Sequence, residues 1–206
     1  MAAKAQDNAV AERILSAGVR LFADKGYGPT STREIAEAAG ITKPMLYYYF
    51  GSKEGLCRAA VDHFVRDFRA RLEAVVDLRL APEEELTEMV SQVFQFAQDH
   101  PDFARVMLTL AYGPDGQAPG LDLEKFGADI HEQIDLAVER ACRAGFVRAG
   151  SDAAFAQAIS GLVFAWALES LGPRKAKLSR ELAQQIVSDL LDGFRARPCA
   201  ANGRGG

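Results

Sequence analysis

The chain has 206 residues and a formal net charge of -4, and 49% of its residues are hydrophobic. That composition is typical of a soluble globular protein with one large domain or two smaller ones. The three cysteines are widely separated, which argues against a disulfide framework or a zinc site and suits a reducing cytoplasm. The first nine residues lack the apolar run of a signal peptide, so we expect a cytoplasmic protein that is not exported.

Charge is distributed unevenly along the chain. Residues 1–60 hold eight Lys and Arg against six Asp and Glu, whereas the remaining residues hold sixteen against twenty-two. The net negative charge argues against a protein that coats nucleic acid without selectivity. Any attraction to phosphate must therefore come from the N-terminal part of the chain.

Helical periodicity dominates the sequence, and no run of alternating residues predicts a strand, so we expect an all-α fold with about nine helices. The first helix should end at Lys25, just before Gly26. Ser31 and Glu34 have the spacing of a capping box, in which each side chain bonds to the amide of the other residue. This spacing predicts a second helix that begins near Thr32.

A third short helix follows a glycine turn. Gly40 supplies the turn after the second helix, Thr42 is the predicted N-cap of the third, and Pro44 falls in its first turn. Gly51 should end that helix and Ser52 should cap a long fourth one. Two short helices joined by a glycine turn suit the presentation of a recognition helix to a DNA major groove.

Proline and glycine divide the rest of the chain. Further helices should begin near Pro82 and Pro101, and the Gly/Pro-rich stretch 113–120 should be a loop. Three more helices are predicted at about 123–144, 151–171 and 179–195. The apolar stretch 153–168 is interrupted by polar residues and is shorter than the roughly 20 residues that cross a bilayer, so we expect a buried helix and no membrane span.

The segment from Thr30 to Leu56 reads TSTREIAEAAGITKPMLYYYFGSKEGL, and it resembles the DNA-binding region of the TetR family of bacterial regulators. The likeness includes the run L-Y-x-x-F-x-S-K-E-x-L and covers about residues 10–60. The resemblance implies an N-terminal three-helix helix-turn-helix domain at 1–55 and a C-terminal helical effector-binding and dimerisation domain at 56–197. Residues 198–206 should form a disordered tail.

The resemblance also implies which residues contact DNA. Base contacts are implied for Arg33, Lys43, Pro44, Met45 and Tyr47, and phosphate contacts for Thr32, Thr42, Tyr48, Tyr49 and Lys53. These residue types suit the roles, because Arg pairs with guanine, apolar groups pack on the thymine methyl, and hydroxyls or ammonium groups hold phosphate. The alternative is that the tyrosines are ordinary helix residues and Arg33 is merely solvated, but three consecutive tyrosines cannot all face one core.

The C-terminal helices carry two further predictions. A dimer interface is predicted from apolar residues of the last two helices: Phe155, Ile159, Leu162, Trp166, Leu182, Ile186, Leu190 and Phe194. The alternative is an ordinary monomer core. An effector site is implied among aromatic and polar residues of the middle helices: Phe94, Phe96, His100, Met107, Tyr112, Phe126, His131, Gln133, Trp166 and Glu169. For each of these residues, core packing or surface exposure is the competing explanation.

The leading hypothesis is a homodimeric repressor that binds double-stranded DNA at a palindromic operator and is released by a small-molecule effector. A second hypothesis is an all-α enzyme or carrier, but the scattered histidines offer no catalytic residue, metal ligand set or cofactor site. A third hypothesis is a helix-turn-helix protein that recruits a partner and ignores small molecules.

Overall fold

The computed structural model describes residues 2–112, 121, 123–173 and 175–194, and the side chains of residues 7–110, 121, 132–173 and 175–194. The described chain contains nine helices and no strand, which confirms the all-α prediction. In chain order they are α1 Ala2–Lys25, α2 Thr32–Ala39, α3 Lys43–Phe50, α4 Lys53–Asp77, α5 Pro82–Asp99, α6 Pro101–Tyr112, α7 Leu123–Arg143, α8 Asp152–Leu171 and α9 Arg180–Phe194.

The chain divides into two compact units. The first unit comprises the described residues of 1–70 and 96–127, and the second comprises those of 71–95 and 128–206. The boundary at residues 55/56 was predicted between a DNA-binding and an effector-binding domain. These compact units do not test that functional boundary, so it stays a prediction. The predicted loop 113–120 and the predicted tail 198–206 lie outside the described residues.

The first unit is built around a small apolar core. Its largest buried side chains include Ile14 and Phe22 from α1, Ile35 from α2, Leu46 from α3 and Leu56 from α4, each at most 1% exposed. Helix α1 packs against α2 and α6, and α2 packs against α3. Burial of these side chains, rather than the propensity of the short helices, therefore holds the N-terminal helices together.

Helix α2 begins with the capping box that the sequence predicts. The Glu34 amide donates to the Ser31 hydroxyl at 3.2 Å, and the Ser31 amide donates to the Glu34 carboxylate at 2.9 Å. The helix ends at Gly40, whose φ of 64° lies in the left-handed region that glycine tolerates. The predicted glycine turn between α2 and α3 is therefore confirmed.

Helix α3 follows that turn with Thr42 at its N-cap and Pro44 in its first turn, as predicted. Gly51 follows the helix, and the Ser52 hydroxyl accepts a hydrogen bond from the Gly55 amide at 2.8 Å at the start of α4. The chain thus passes from α3 into α4 through only two residues. This short connection restricts the orientation of α3 relative to the start of α4.

The second unit contains an ion pair with a buried carboxylate and a contact between its last two helices. Arg140 of α7 donates to the Glu85 carboxylate of α5 through Nη2 at 2.6 Å and through Nε at 3.1 Å, and Glu85 is only 6% exposed. Helices α8 and α9 pack together, with the Phe155 and Phe194 ring centroids 5.4 Å apart. Because a buried carboxylate is costly unless it is paired, the ion pair holds α7 against α5.

Helix α8 is apolar on most sides but is buried on only one side within this chain. Its buried residues are Phe155, Ala156, Ile159 and Val163. Leu162, Phe164 and Leu168 are 40%, 44% and 47% exposed, so the helix is only partly buried within the single chain. At 20 residues, α8 is also longer than the predicted apolar stretch, and among the described helices it is the one long and apolar enough to cross a membrane. Core helices of soluble proteins pass the same test.

The turn between α3 and α4 generates a stability prediction. A Cβ atom on Gly55 would lie 2.0 Å from the Phe50 carbonyl oxygen, so Gly55→Ala must displace the backbone at the end of α3. We expect it to lower the free energy of unfolding by about 1–3 kcal/mol, the usual cost of overpacking. Urea unfolding followed by circular dichroism measures this change.

Gly28→Ala is the matched control for Gly55→Ala. A Cβ on Gly28 meets no atom within 4 Å, and Gly28 belongs to the same unit. We expect its free energy of unfolding to lie within about 0.5 kcal/mol of the wild type. Equal stability of the two variants would contradict the steric argument.

Candidate nucleic-acid interface

The outward side of α3 carries aromatic and cationic side chains. Leu46 is fully buried, whereas Met45, Tyr47 and Tyr48 are 37%, 43% and 81% exposed. The Lys43 ammonium lies 5.7 Å from the centroid of the Tyr47 ring, where the ring face attracts a cation. An exposed group of large side chains of this kind is typical of a binding surface.

The N-terminal ends of α2 and α3 add polar groups to this surface. Thr42 and Pro44 are exposed at the start of α3, and the Thr42 side chain makes no cap hydrogen bond. At the start of α2, Thr32 is half-buried and Arg33 is exposed. The Arg33 Nε donates to Glu37 Oε1 at 2.8 Å, one helical turn away. Helix N-termini attract anions, so these groups suit contact with a phosphate backbone.

Glu34 is the most strongly perturbed carboxylate at this end of α2. It accepts hydrogen bonds from the Lys25 ammonium at 2.6 Å and from both the amide and the hydroxyl of Ser31 at 2.9 Å. The Lys25 contact, followed by those from Ser31, lowers the pKa of Glu34 to about 2. The carboxylate is therefore ionised at neutral pH and joins the end of α1 to the start of α2.

Two residues predicted to contact phosphate are engaged within the protein itself. The Tyr49 hydroxyl donates to the Asp7 carboxylate at 3.0 Å, which links α3 to α1. The Lys53 ammonium donates to the carbonyls of Tyr27, Gly28 and Thr30. The sequence predicted neither internal contact, because the partners lie 42 and 23–26 residues away along the chain.

Thr30 is a structural residue that the sequence analysis did not single out. It is 1% exposed, and its hydroxyl donates to the Gly26 carbonyl at 2.8 Å and to the Leu21 carbonyl at 3.2 Å. The single hydroxyl proton is shared between these two carbonyls, which ties the residue before the α2 N-cap to the end of α1. Its position immediately before the N-cap Ser31 was the available signal, but a buried hydroxyl cannot be told from a surface hydroxyl by sequence alone.

The predicted effector residues are divided between the two units. Phe96 and His100 are neighbours in the first unit, with ring centroids 4.9 Å apart, and the His100 Nε2 lies 3.5 Å from Asp67 Oδ2. Met107 is half-buried in the same unit. The residues placed in the second unit are Phe94, which is buried, and Gln133, Trp166 and Glu169, which are half-buried. The side chains of Tyr112, Phe126 and His131 lie outside those described.

Two cavities in the second unit, both lined by described residues, do not include these candidates. An enclosed apolar cavity of about 10 Å³ is lined by residues of α5, α7 and α8, including Met89, Ile134 and Ile159. An open groove of about 390 Å³ lies between α7 and α8 and is lined by polar residues that include Asp135 and Gln157. The enclosed space is about large enough for one water molecule, so this interior is packed.

The predicted dimer residues fall into two groups. Phe155, Ile159 and Ile186 are at most 6% exposed and lie in the core of their own unit. Leu162 is exposed, and four residues are half-buried: Trp166, Leu182, Leu190 and Phe194. Only the second group has surface that a second chain could contact.

Known proteins are similar to the N-terminal part of this chain in sequence and to most of the chain in fold. Residues 14–60 match the family described as "Bacterial regulatory proteins, tetR family". The HTH-type transcriptional repressor NicS of Pseudomonas putida is 34% identical over 99 residues, which cover 48% of this chain and 46% of NicS. The HTH-type transcriptional regulator RutR of Escherichia coli K12 is 32% identical over 66% of this chain and 61% of RutR. The matches thus span about half the length of these curated relatives.

A solved structure matches over more of the chain. The transcriptional regulator FadR from Bacillus subtilis, in complex with stearoyl-CoA, superposes with a TM-score of 0.75 at 17% identity and covers 89% of this chain and 99% of that one. The fold and the α2–turn–α3 geometry define a helix-turn-helix protein. Residues 14–60 thus carry the N-terminal sequence of the tetR family of bacterial regulatory proteins, as the sequence predicted.

The depressed pKa of Glu34 predicts a pH-dependent contribution to stability. The folded-state pKa of about 2 lies below the usual 4.5, so the ionised carboxylate stabilises the folded protein above about pH 4.5. That contribution should decrease as the pH falls from about 4.5 toward 2, where the folded form also takes up the proton. The difference in free energy of unfolding between the wild type and Glu34→Gln, measured across this range, tests the expectation.

Lys25→Met provides the control for this titration. It removes the largest cause of the low pKa of Glu34. In that background, the pH dependence of the Glu34→Gln difference should become smaller. If the difference in free energy of unfolding between the wild type and Glu34→Gln did not change with pH, the lowered pKa of Glu34 would be contradicted.

Proposed function

We propose that this protein is a sequence-specific DNA-binding transcriptional repressor, not an enzyme, which works in the bacterial cytoplasm. In this proposal it binds a palindromic operator as a homodimer and is released by a small-molecule effector. The observation that carries the proposal is the exposed face of α3. This face presents Lys43, Met45, Tyr47 and Tyr48, while Leu46 is buried and anchors the helix. The names of NicS and RutR, a repressor and a regulator, support it.

The chemistry of this face suits direct readout of a major groove. Tyr47 and Met45 offer apolar surface for a thymine methyl, and the cation of Lys43 can donate to a guanine edge. The Arg33 Nε at the start of α2 donates to Glu37 at 2.8 Å, so Arg33 pairs with a guanine through its terminal nitrogens or by exchanging Glu37 for the base. Because this pair is highly exposed, with side chains 82% and 63% accessible, the exchange costs little.

Thr32, Thr42 and Tyr48 remain the proposed phosphate contacts. Thr42 has a hydroxyl that makes no cap hydrogen bond, and Tyr48 is 81% exposed. The two threonine hydroxyls lie at helix N-termini and the Tyr48 hydroxyl lies in the last turn of α3, and contacts of hydroxyls to phosphate position a protein on DNA without reading the sequence. The bases are then read by the residues between them on α3.

Dimerisation is proposed through the outward face of α8. Leu162, Phe164 and Leu168 are exposed there, and Gly161 and Ala165 between them allow close approach of a second helix. An isologous contact between two such faces would bury them and relate the two α3 helices by a twofold axis. A twofold protein reads a palindrome, with half-sites one or more helical turns apart.

Effector binding is proposed for the C-terminal helices. The FadR neighbour was solved with stearoyl-CoA, an example of this fold holding a ligand. In the described part of the second unit, the enclosed cavity of about 10 Å³ is too small for such a molecule. Binding would then favour a conformation in which α5, α7 and α8 separate, and a differential affinity for that state would weaken DNA binding.

Selection of bound sequences from random duplex DNA tests the DNA-binding proposal. We expect the wild type to enrich a palindrome, and Tyr47→Ala and Arg33→Ala to lose or relax preference at defined positions. Each lost base contact should cost about 1–3 kcal/mol. The enriched duplex then allows small molecules to be screened for release of the protein.

Arg105→Ala is the matched control for Arg33→Ala in this selection. Arg105 is likewise exposed and paired with a carboxylate on its own helix, Asp102, but it lies on α6. The Arg105→Ala protein should enrich the same DNA sequence as the wild-type protein. Absence of any selective binding by the wild type at moderate salt would overturn the proposed function.

The dimer proposal is tested by placing charge on the α8 face. We expect the wild type to be a dimer and Leu162→Glu/Leu168→Glu to dissociate, with the dimer weakened roughly a hundredfold or more because carboxylates would be buried in an apolar contact. Sedimentation equilibrium at micromolar concentration measures the dimer constant. Circular dichroism checks that the variant keeps its helices.

Leu78→Glu is the control for that charge substitution. Leu78 is 60% exposed, more than either α8 residue, and it follows α4 rather than lying on α8. Its dimer constant should equal that of the wild type. A double variant that remains as dimeric as the wild type would place the interface elsewhere.

A further inference from the structure

The ammonium group of Lys53 is fully engaged inside the protein. It donates to the carbonyl oxygens of Tyr27 at 2.9 Å, Gly28 at 3.2 Å and Thr30 at 2.9 Å. An ammonium group has three donor protons, so these three bonds use all of them. The same nitrogen lies 4.3 Å from the centroid of the Tyr27 ring, on whose face a cation is attracted.

The carbonyls that Lys53 binds belong to the loop between α1 and α2. Pro29 in this loop has no amide hydrogen, and α2 begins just after it at Thr32. Lys53 itself is the first residue of α4, three residues after α3 ends at Phe50. The ammonium therefore joins the segment that enters α2 to the segment that leaves α3.

Neighbouring contacts hold the Tyr27 ring in place. The ring packs on Phe22 of α1, with the centroids 5.4 Å apart, and Tyr27 is half-buried. Burial raises the pKa of the Tyr27 hydroxyl, so the ring stays neutral at physiological pH. Both the ring face and the three carbonyls are thus positioned before any DNA is bound.

We propose that Lys53 is a positioning residue, which fixes the α1–α2 loop against α4 and so sets the orientation of α2 and α3, and that it is not a phosphate contact. The proposal rests on the proposed DNA-binding function. A bond to phosphate would require the ammonium to give up one of three carbonyls at 2.9–3.2 Å and its place over the Tyr27 ring. Sequence resemblance alone implies the opposite role.

Salt dependence of DNA binding separates the two roles. Each phosphate contact adds about 0.9 to the slope of log affinity against log salt. We expect Lys53→Met to weaken binding to the selected duplex about tenfold, because three carbonyls lose a charged partner, while the slope stays at the wild-type value. A slope reduced by about 0.9 in Lys53→Met would overturn the proposal.

Hydrogen exchange provides a readout that is independent of DNA. The amide of Gly26 donates to the Phe22 carbonyl and that of Ser31 to the Glu34 carboxylate, so peptides covering residues 22–36 contain protected amides on both sides of the loop. We expect Lys53→Met to accelerate their exchange about tenfold, as local opening becomes easier, with exchange in α8 and α9 unchanged. Unchanged exchange in residues 22–36 would overturn the proposal.

Lys43→Met is the matched control. Lys43 is an exposed cation on α3 in the same unit, near the Tyr47 ring. It should leave exchange in residues 22–36 at the wild-type rate.

Lys53→Arg covers the case in which Lys53→Met does not fold. A planar guanidinium places its donors in a fork and cannot converge on three carbonyls as an ammonium does, although it binds phosphate well. Faster exchange in residues 22–36 with weaker binding supports the positioning role, and full rescue of both overturns it. If the wild type enriches no duplex, the proposed function fails, and the exchange measurements still decide whether Lys53 holds the loop.

Discussion

An eight-residue helix is not stable by itself in water, and both α2 and α3 have only eight residues. Everything that α3 can do as a reading surface depends on contacts that hold it from outside. Three kinds of contact do so: the Gly51 cap at its C-terminal end, one buried anchor at Leu46, and the bond from Tyr49 to Asp7 of α1. Because few side chains of α3 are used inward, most of them remain available outward.

The same constraint explains why the polar groups around α2 and α3 are engaged in pairs. Glu34 joins Lys25 to the Ser31 cap, so the end of α1 and the start of α2 are held together. Tyr49 reaches back to Asp7 on α1. The proposed reading of bases requires such supporting bonds, since a loosely held recognition helix would lose part of its binding energy to ordering.

Local chemistry explains how much of this could be predicted. The capping box at Ser31 and Glu34, the turn at Gly40 and the proline in the first turn of α3 depend on residues within four positions of one another, and all three were predicted. The bonds of Tyr49 and Lys53 join residues 23 or more positions apart, so their internal use was not predicted. The residue type of a tyrosine or lysine near a recognition helix does not indicate whether its side chain binds DNA or another part of the protein.

Helix α8 shows a second limit of the same kind. Its sequence is apolar on most sides, so periodicity does not indicate which face enters the core of its own chain. The structure resolves this: Phe155, Ile159 and Val163 pack inward, while Leu162 and Leu168 stay outside. In the proposed dimer, the outward residues contact the partner chain, while the inward ones hold α8 in a folded unit beside α9. Two copies of the outward face could cover each other without disturbing the inward contacts, and for this reason the dimer is proposed through this face of α8.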